Sequence, residues 1–156
     1  MRAALFGRPE MWLRRFARTG RRHVVGIERE VLVEIRHLRE RLPYVTGVVV
    51  ASVDGLLVAH DVTVNRPDGS AIGVDPETMA AMSAAYLGLA QQLARGAAYG
   101  DFQETVTRAV DGYVATFAAG TAALLTVLAN AEINLGLLHH EARPVAHRVG
   151  ALVAGP

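Results

Sequence analysis

Residues 75–96 read DPETMAAMSAAYLGLAQQLARG, and this stretch decides how the rest of the chain can fold. Asp75 and Pro76 are typical of the first positions of a helix, and Gly96 is typical of the position where a helix ends. No charged residue lies between the first and last turns, so no side of this helix is suited to water. The sequence therefore predicts a helix that is buried on two sides.

Two kinds of side chain divide this helix into faces. Large apolar residues recur at spacings of three and four, which places them on one stripe that requires a core. The stripe consists of Met79, Met82, Tyr86, Leu89 and Leu93. The opposite face has small residues, which allow a second helix, such as that of another copy, to approach closely. These small residues are Ala81, Ala84, Ala85 and Gly88. A membrane span is the alternative, but the stretch is short for a bilayer and contains polar residues.

The composition limits the chemistry that the chain can perform. Its 156 residues suit one domain with a core of its own. The absence of cysteine excludes disulfides, thiol catalysis and cysteine-ligated metals. All 16 basic residues are arginine, so a Walker-type phosphate lysine and a Schiff-base lysine are excluded as well.

Charge is distributed unevenly along the chain. Residues 1–23 contain seven arginines and a single acid, whereas residues 24–156 have a net charge of −5. We expect residues 1–23 to be a disordered basic extension, with an amphipathic segment at an anionic membrane or acidic partner as the alternative. The paired arginines at 14–15 lack the following apolar stretch of an export signal. The expected location is therefore cytoplasmic, with the inner membrane surface as a further option.

The first half of the chain predicts a helix followed by a hairpin. Apolar residues between Val24 and Leu42 fall on one helical face, which is typical of a surface helix. The following run, YVTGVVVASVDGLLVAHD, predicts two strands joined by a two-residue turn at Asp54-Gly55. Residues 63–74 form a long loop, for which a mobile connection and a binding element are the two interpretations.

The second half predicts three strands and a last helix. FQETVTRAV has the alternation of a polar strand at a sheet edge, and an exposed edge has to be blocked or paired. Hairpin signals follow at Asp111-Gly112 and Gly120. Residues 112–131 contain no charge, but their β-favouring composition indicates a buried hairpin rather than a membrane span. Apolar residues after Asn134 recur on one stripe and predict an amphipathic helix that contains Pro144.

The predicted fold is α+β, an α/β sandwich in which a five-stranded antiparallel sheet has helices on both faces. The predicted element order is α-β-β-α-β-β-β-α.

Candidate catalytic groups are few. His139, Arg143 and His147 share a helical face, but an arginine between two imidazoles opposes a bound cation, which favours a solvated face. His60-Asp61 lacks an accompanying nucleophile motif. We therefore predict neither catalytic nor metal-binding residues, no cofactor, and a protein that is not an enzyme.

Four segments together resemble the roadblock/dynein light-chain family. They are GVVVASVDGLLVAHD, the helix after DPE, DGYVATFAAGTAALLTVLA and INLGLLHHEARPVAHRV. The resemblance covers roughly residues 27–152 and is strongest to bacterial members encoded beside small Ras-like GTPases and sensor kinases. It assigns residues 24–154 to a roadblock-like domain.

The resemblance implies a homodimer in which the second helices pack antiparallel and the third strands join two sheets into one continuous sheet. The helix contact would consist of Ala81, Ala84, Ala85, Gly88 and Gln92. The strand contact would consist of Thr105, Val106 and Thr107. A buried helix face and an open strand edge are each unsatisfied in a monomer, and a two-fold contact satisfies both.

The function implied by the resemblance is that of a non-catalytic regulator or scaffold in bacterial signalling, with a small Ras-like GTPase as its partner. A sensor kinase is a further possible partner, and none is expected among nucleic acids. The alternatives are a module that senses a small molecule and an adaptor that contacts the membrane weakly through residues 1–23.

Overall fold

The structure is a computed structural model that describes residues 21–63 and 73–155. These residues form three helices and five strands in the predicted order. The helices are α1 (Arg21–Arg41), α2 (Pro76–Gly96) and α3 (Leu135–Ala154). The strands are β1 (Val45–Ser52), β2 (Leu57–Val62), β3 (Glu104–Arg108), β4 (Gly112–Ala119) and β5 (Ala123–Asn130).

The five strands form one antiparallel sheet in the order β2-β1-β5-β4-β3. The predicted α+β class, strand number and element order are confirmed. β5 is buried along nearly its whole length because it lies at the centre, whereas β2 and β3 form the two edges. The prediction that FQETVTRAV contains a polar edge strand is also confirmed. No helix among the described residues has the length and apolar character needed to cross a membrane.

The β1–β2 hairpin differs from the predicted two-residue turn. The amide of Gly55 donates to the carbonyl of Ser52 over 2.9 Å, and the Ser52 amide donates to the Leu56 carbonyl over 2.8 Å. Gly55 has φ 86°, while Asp54 does not adopt a positive φ. The loop is thus a turn followed by one residue, Gly55, in the left-handed region. In this geometry Asp54 keeps a negative φ, and only one position requires glycine.

Helices α1 and α3 cover one face of the sheet and enclose the larger core. Leu38 of α1, Leu138 of α3 and Phe117 of β4 are almost fully buried there. α3 passes close to the β4–β5 turn, because a Cβ placed on Gly150 would lie 2.6 Å from the carbonyl carbon of Ala119. Glycine at this position allows backbone to pack on backbone.

One boundary differs from the sequence prediction. α1 begins at Arg21, so residues 21–23, which the sequence assigned to the basic extension, belong to the first helix. The prediction of disorder for the preceding residues, 1–20, lies outside the described part of the chain. Most of the predicted loop at 63–74 also lies outside it.

Candidate functional site

α2 starts at a well-formed cap. The Asp75 carboxylate accepts a hydrogen bond from the Thr78 amide over 3.0 Å and another from the Thr78 hydroxyl. These two bonds, with smaller contributions from Glu77, hold the pKa of Asp75 below its usual value. The charged cap and Pro76 fix where the helix begins, as the sequence predicted.

The side of α2 that faces the sheet carries small residues. Ala80, Ser83 and Ala84 are buried, with Ala80 and Ala84 packing against β1 and β5 in a small apolar cluster. The strand residues of this cluster are Val49, Ala51 and Leu124. The contact of Ala84 with a second copy, which the family resemblance implies, stays a prediction. Its side chain is already covered by its own sheet and is only 9% exposed.

The large residues of α2 lie mostly in water rather than in a core. Met82, Tyr86, Leu89 and Leu93 are exposed by 55%, 43%, 60% and 75%, and we call these four the apolar row. Of the predicted stripe only Met79 is packed against the small cluster. The prediction that the whole stripe enters the subunit core is wrong, because small residues on the other side of α2 fit closely on the sheet.

The apolar row lies beside the open edge of β3. The Tyr86 hydroxyl is 3.3 Å from Oγ1 of Thr105, and the Thr107 hydroxyl donates to it over 3.4 Å. The first of these contacts lowers the pKa of Tyr86 most, and the second adds to it. Since β3 pairs only with β4, its other edge is unpaired within the described chain. Tyr86 thus links the apolar row to β3, and we call the row together with the unpaired edge of β3 the α2–β3 surface.

The predicted helix contact lies mainly on another flank of α2. A Cβ on Gly55, in the β1–β2 hairpin, would lie 3.2 Å from Cα of Ala81. Ala81 is five residues from Tyr86, so the two are about 140° apart around the helix. Ala85, Gly88 and Gln92 continue the line of Ala81 at spacings of four, three and four. We call these four residues the hairpin flank, which lies next to the apolar row, since Ala85 is four residues before Leu89.

A polar network fixes the connection between α2 and β3. Gln91 donates from Nε2 to Asp101 over 3.0 Å and accepts from the Phe102 amide over 3.0 Å. Arg95 also donates to Asp101, over 3.0 Å from Nη2. Hydrogen bonds from Arg95 and then Gln91 lower the pKa of Asp101. The network anchors the segment that leads into β3.

On the other face, Glu104 joins β3 to α3. Arg143 donates from Nε and Nη2 to the two carboxylate oxygens of Glu104, over 2.7 and 2.6 Å. Nδ1 of His139 lies 2.9 Å from Oε1 of Glu104 but lacks the alignment of a hydrogen bond. The Arg143 bonds lower the pKa of Glu104, and partial burial opposes them. The prediction that His139 and Arg143 form part of a solvated face missed this contact, which joins residues 39 positions apart.

Two further carboxylates, Asp61 of the His60-Asp61 pair and Glu141, have structural contacts. Asp61 accepts from Nη1 of Arg39 over 2.9 Å and so ties β2 to α1. Glu141 accepts from Nε of Arg41 over 2.7 Å and joins α3 to α1. Among residues 21–63 and 73–155, no three histidine or acidic side chains are arranged to hold a metal ion.

Comparisons with known proteins agree with this architecture. The family model for the Roadblock/LC7 domain matches residues 32–129. The protein "Uncharacterized protein MJ1340" of Methanocaldococcus jannaschii is 30% identical over 108 residues, covering 69% of this chain and 87% of that protein.

Solved structures with the same fold include a Roadblock/LC7 domain from Streptomyces avermitilis. It has a TM-score of 0.65 and 24% identity, covering 76% of this chain and 92% of that one. A structure of MglB with tetrameric arrangement has a TM-score of 0.73 and 16% identity, with coverages of 82% and 90%. For Myxococcus xanthus MglB the TM-score is 0.67 and the identity 14%, with coverages of 79% and 86%.

Proposed function

The chain belongs to the Roadblock/LC7 domain family, and from this premise we propose that it is a non-catalytic regulator or scaffold that self-associates and binds a small Ras-like GTPase. The resemblance of its sequence to bacterial family members encoded beside such GTPases supports this choice of partner. The chain contains no lysine, so a Walker-type phosphate lysine would have to come from the partner. This supports a non-catalytic role for the chain, with nucleotide hydrolysis by the GTPase. A sensor kinase is a further partner to test.

The observation that carries the proposal is the α2–β3 surface. Four large apolar side chains in water have a free-energy cost, and an unpaired strand edge invites pairing with another chain. Because Tyr86 of the apolar row contacts β3, we expect a two-fold contact to cover the row and extend the sheet together. The tetrameric arrangement of MglB, which has the same fold, is consistent with self-association.

Self-association is tested first, by light scattering of the purified protein over a range of concentrations. We expect a dimer at micromolar concentration. A protein that remains monomeric at that concentration would contradict the proposal.

Partner binding is tested with Ras-like GTPases encoded by genes adjacent to that of this protein, each loaded with GDP or a non-hydrolysable GTP analogue. We expect binding in at least one nucleotide state, and no nucleotide hydrolysis by the protein alone. The Leu89→Arg variant, which should disrupt the dimer, serves as the control. It should bind the GTPase more weakly, because the proposed binding surface spans two copies. Failure of every tested GTPase to bind in either state would refute the GTPase assignment.

Localisation is a separate part of the proposal. The arginines of residues 1–23 favour weak contact with an anionic membrane surface. Co-sedimentation with anionic liposomes should fall when residues 1–20 are removed, a deletion that leaves α1 whole. Equal sedimentation of the full and shortened proteins would rule out this role for the segment.

A further inference from the structure

The backbone of β3 determines which of its residues can pair with another chain. The Ala118 amide donates to the Gln103 carbonyl over 2.9 Å, and the Ala109 amide donates to the Gly112 carbonyl over 2.8 Å. Residues 103 and 109 therefore direct their peptide groups toward β4. Because this direction alternates along an antiparallel strand, residues 105 and 107 do the same. The free peptide groups on the outer edge are those of Glu104, Val106 and Arg108.

The side chains of these three residues point to one face of the sheet. Glu104 contacts α3, and Val106 packs against the core beneath α1 and α3. Thr105 and Thr107 face the other way, toward Tyr86 of α2. In a continuous antiparallel sheet, residues directly opposite each other have side chains on the same face. A two-fold pairing of β3 with itself must therefore be centred on a residue, and centres at residues 105, 106 and 107 overlap most of the strand.

Two of these registers conflict with the structure. A centre at residue 105 places Arg108 opposite residue 102 of the second copy, but the Phe102 amide is already bonded to Gln91 over 3.0 Å. A centre at residue 107 places Glu104 opposite residue 110, which lies in the β3–β4 turn rather than in the strand. A centre at Val106 uses all five residues of β3 and no others.

Charge complementarity favours the same register. β3 reads ETVTR, so reversing the strand about Val106 exchanges the acid and the base. Each Glu104 would then face the partner's Arg108, and the two valines would face each other. Arg108 is exposed and has no ion pair within the described part of the chain. Opposite charges on facing residues stabilise a strand pair, whereas like charges destabilise it.

The family resemblance implies that β3 pairs with β3 of a second copy, and we propose that the register of this pairing is centred on Val106 and is determined by Glu104–Arg108 pairs between copies. The inference rests on the proposed self-association. It adds the register in which the two β3 strands pair and the charged residues that determine this register. Arg143 would sit beside each pair, since it already holds Glu104 from α3.

Single cysteines test the register directly, because the natural chain contains none. Thr105→Cys, Val106→Cys and Thr107→Cys are each oxidised with a copper catalyst and resolved without reductant. In the proposed register the Cα atoms of the two residues at position 106 lie about 5.5 Å apart, within disulfide range. Identical residues at 105 or 107 are about 7–8 Å apart, so these variants should cross-link at least tenfold more slowly.

A mixture of the Thr105→Cys and Thr107→Cys proteins supplies the positive control, since residues 105 and 107 would face each other. Faster self-linking of either threonine variant than of Val106→Cys would overturn the register while leaving self-association intact. Dimers that form without a cross-link at any of the three positions would also overturn it. A monomer by light scattering, without cross-links, would instead refute the proposed self-association.

A charge exchange tests the specificity. Arg108→Glu alone and Glu104→Arg alone should each raise the dimer Kd about tenfold or more, because like charges then face each other twice. Mixing the two variants should restore binding as a mixed dimer, in which each acid again faces a base. Arg36→Glu, an exposed change of the same charge on α1, should leave the Kd unchanged. Failure of the mixture to regain affinity would contradict the Glu104–Arg108 pairing.

Discussion

The two faces of the sheet differ in how completely their helices cover them. On one face, α1 and α3 enclose large side chains such as Leu38 and Leu138, which are fully buried. On the other face, the single helix α2 contributes mainly small residues to a much smaller cluster and leaves the four residues of the apolar row in water. The first face therefore builds the subunit, whereas the second offers apolar area for another chain.

The difference shows that helix hydrophobicity does not reveal which side of a helix is inside. A helix can approach a sheet closely through alanine and serine, and its large side chains then become available for association. The same apolar residue should thus have a large effect on unfolding in α3 and a large effect on association in α2.

The largest expected effect comes from Leu138→Ala in the core beneath α1 and α3. It should lower the free energy of unfolding by about 3 kcal/mol, since it leaves a cavity in a closed core. The matched change Leu89→Ala in α2 should cost the isolated subunit less than about 0.5 kcal/mol, because Leu89 is 60% exposed. Urea denaturation at concentrations below the dimer Kd measures each value. Similar losses in the two variants would contradict the distinction between the faces.

A pair of glycine substitutions gives the next effect. Gly150→Ala should destabilise the protein by about 2–3 kcal/mol, because its Cβ would lie 2.6 Å from backbone that cannot move aside. Gly88→Ala in α2 should instead stabilise by about 0.5–1 kcal/mol, since nothing lies within 4 Å of the new Cβ and alanine favours a helix. Thermal and chemical unfolding of the two variants distinguish these signs. A stable Gly150→Ala protein would mean that α3 does not pass so close to the β4–β5 turn.

Two arginine substitutions distinguish the flanks of α2. Leu89→Arg introduces a charge into the apolar row and should raise the dimer Kd at least tenfold, equivalent to about 1.4 kcal/mol, while the subunit stays folded. Gln92→Arg introduces the same charge on the hairpin flank and should have a smaller effect. Sedimentation velocity measures both, with circular dichroism as the check on folding. A stronger effect of Gln92→Arg would return the contact to the flank that the sequence predicts.

The smallest effect concerns the acid side of the pH profile. Contacts with Arg143 lower the pKa of Glu104 in the folded protein, so its stabilisation is complete above the ordinary value of 4.5 and is lost as the pH falls through the folded value. Glu104→Gln should cost about 0.5–1 kcal/mol near neutral pH, and this cost should shrink as the pH falls below 4.5. The urea midpoints of the two proteins should therefore converge on acidification. Asp75 and Asp101, whose pKa values are also lowered, titrate in both proteins and so do not affect the comparison. A difference that does not shrink on acidification would assign the effect to packing.

Much of the fold follows from local sequence signals. The cap at Asp75, the glycine turns and the polar alternation around β3 each specify a structure through neighbouring residues. The candidate surface follows only in part, since its two components, α2 and β3, were predicted but the side of α2 was reversed. Periodicity assigns Met82 and Leu89 to one face without indicating whether that face meets the sheet or water. The Glu104–Arg143 contact had no sequence signal, because neither residue type specifies a partner so distant in the chain.

The sequence by itself determined the element order, the antiparallel sheet, the exposed strand edge and the absence of lysine and cysteine chemistry. These properties depend on spacing, turn geometry and composition, which act over a few residues. Only the tertiary structure decided that the alanines of α2 meet the sheet, that Tyr86 lies against β3, and that Glu104 is held by α3. Such choices depend on how closely whole elements fit together, and many sequences with the same apolar spacing would allow either side of a helix to face inward.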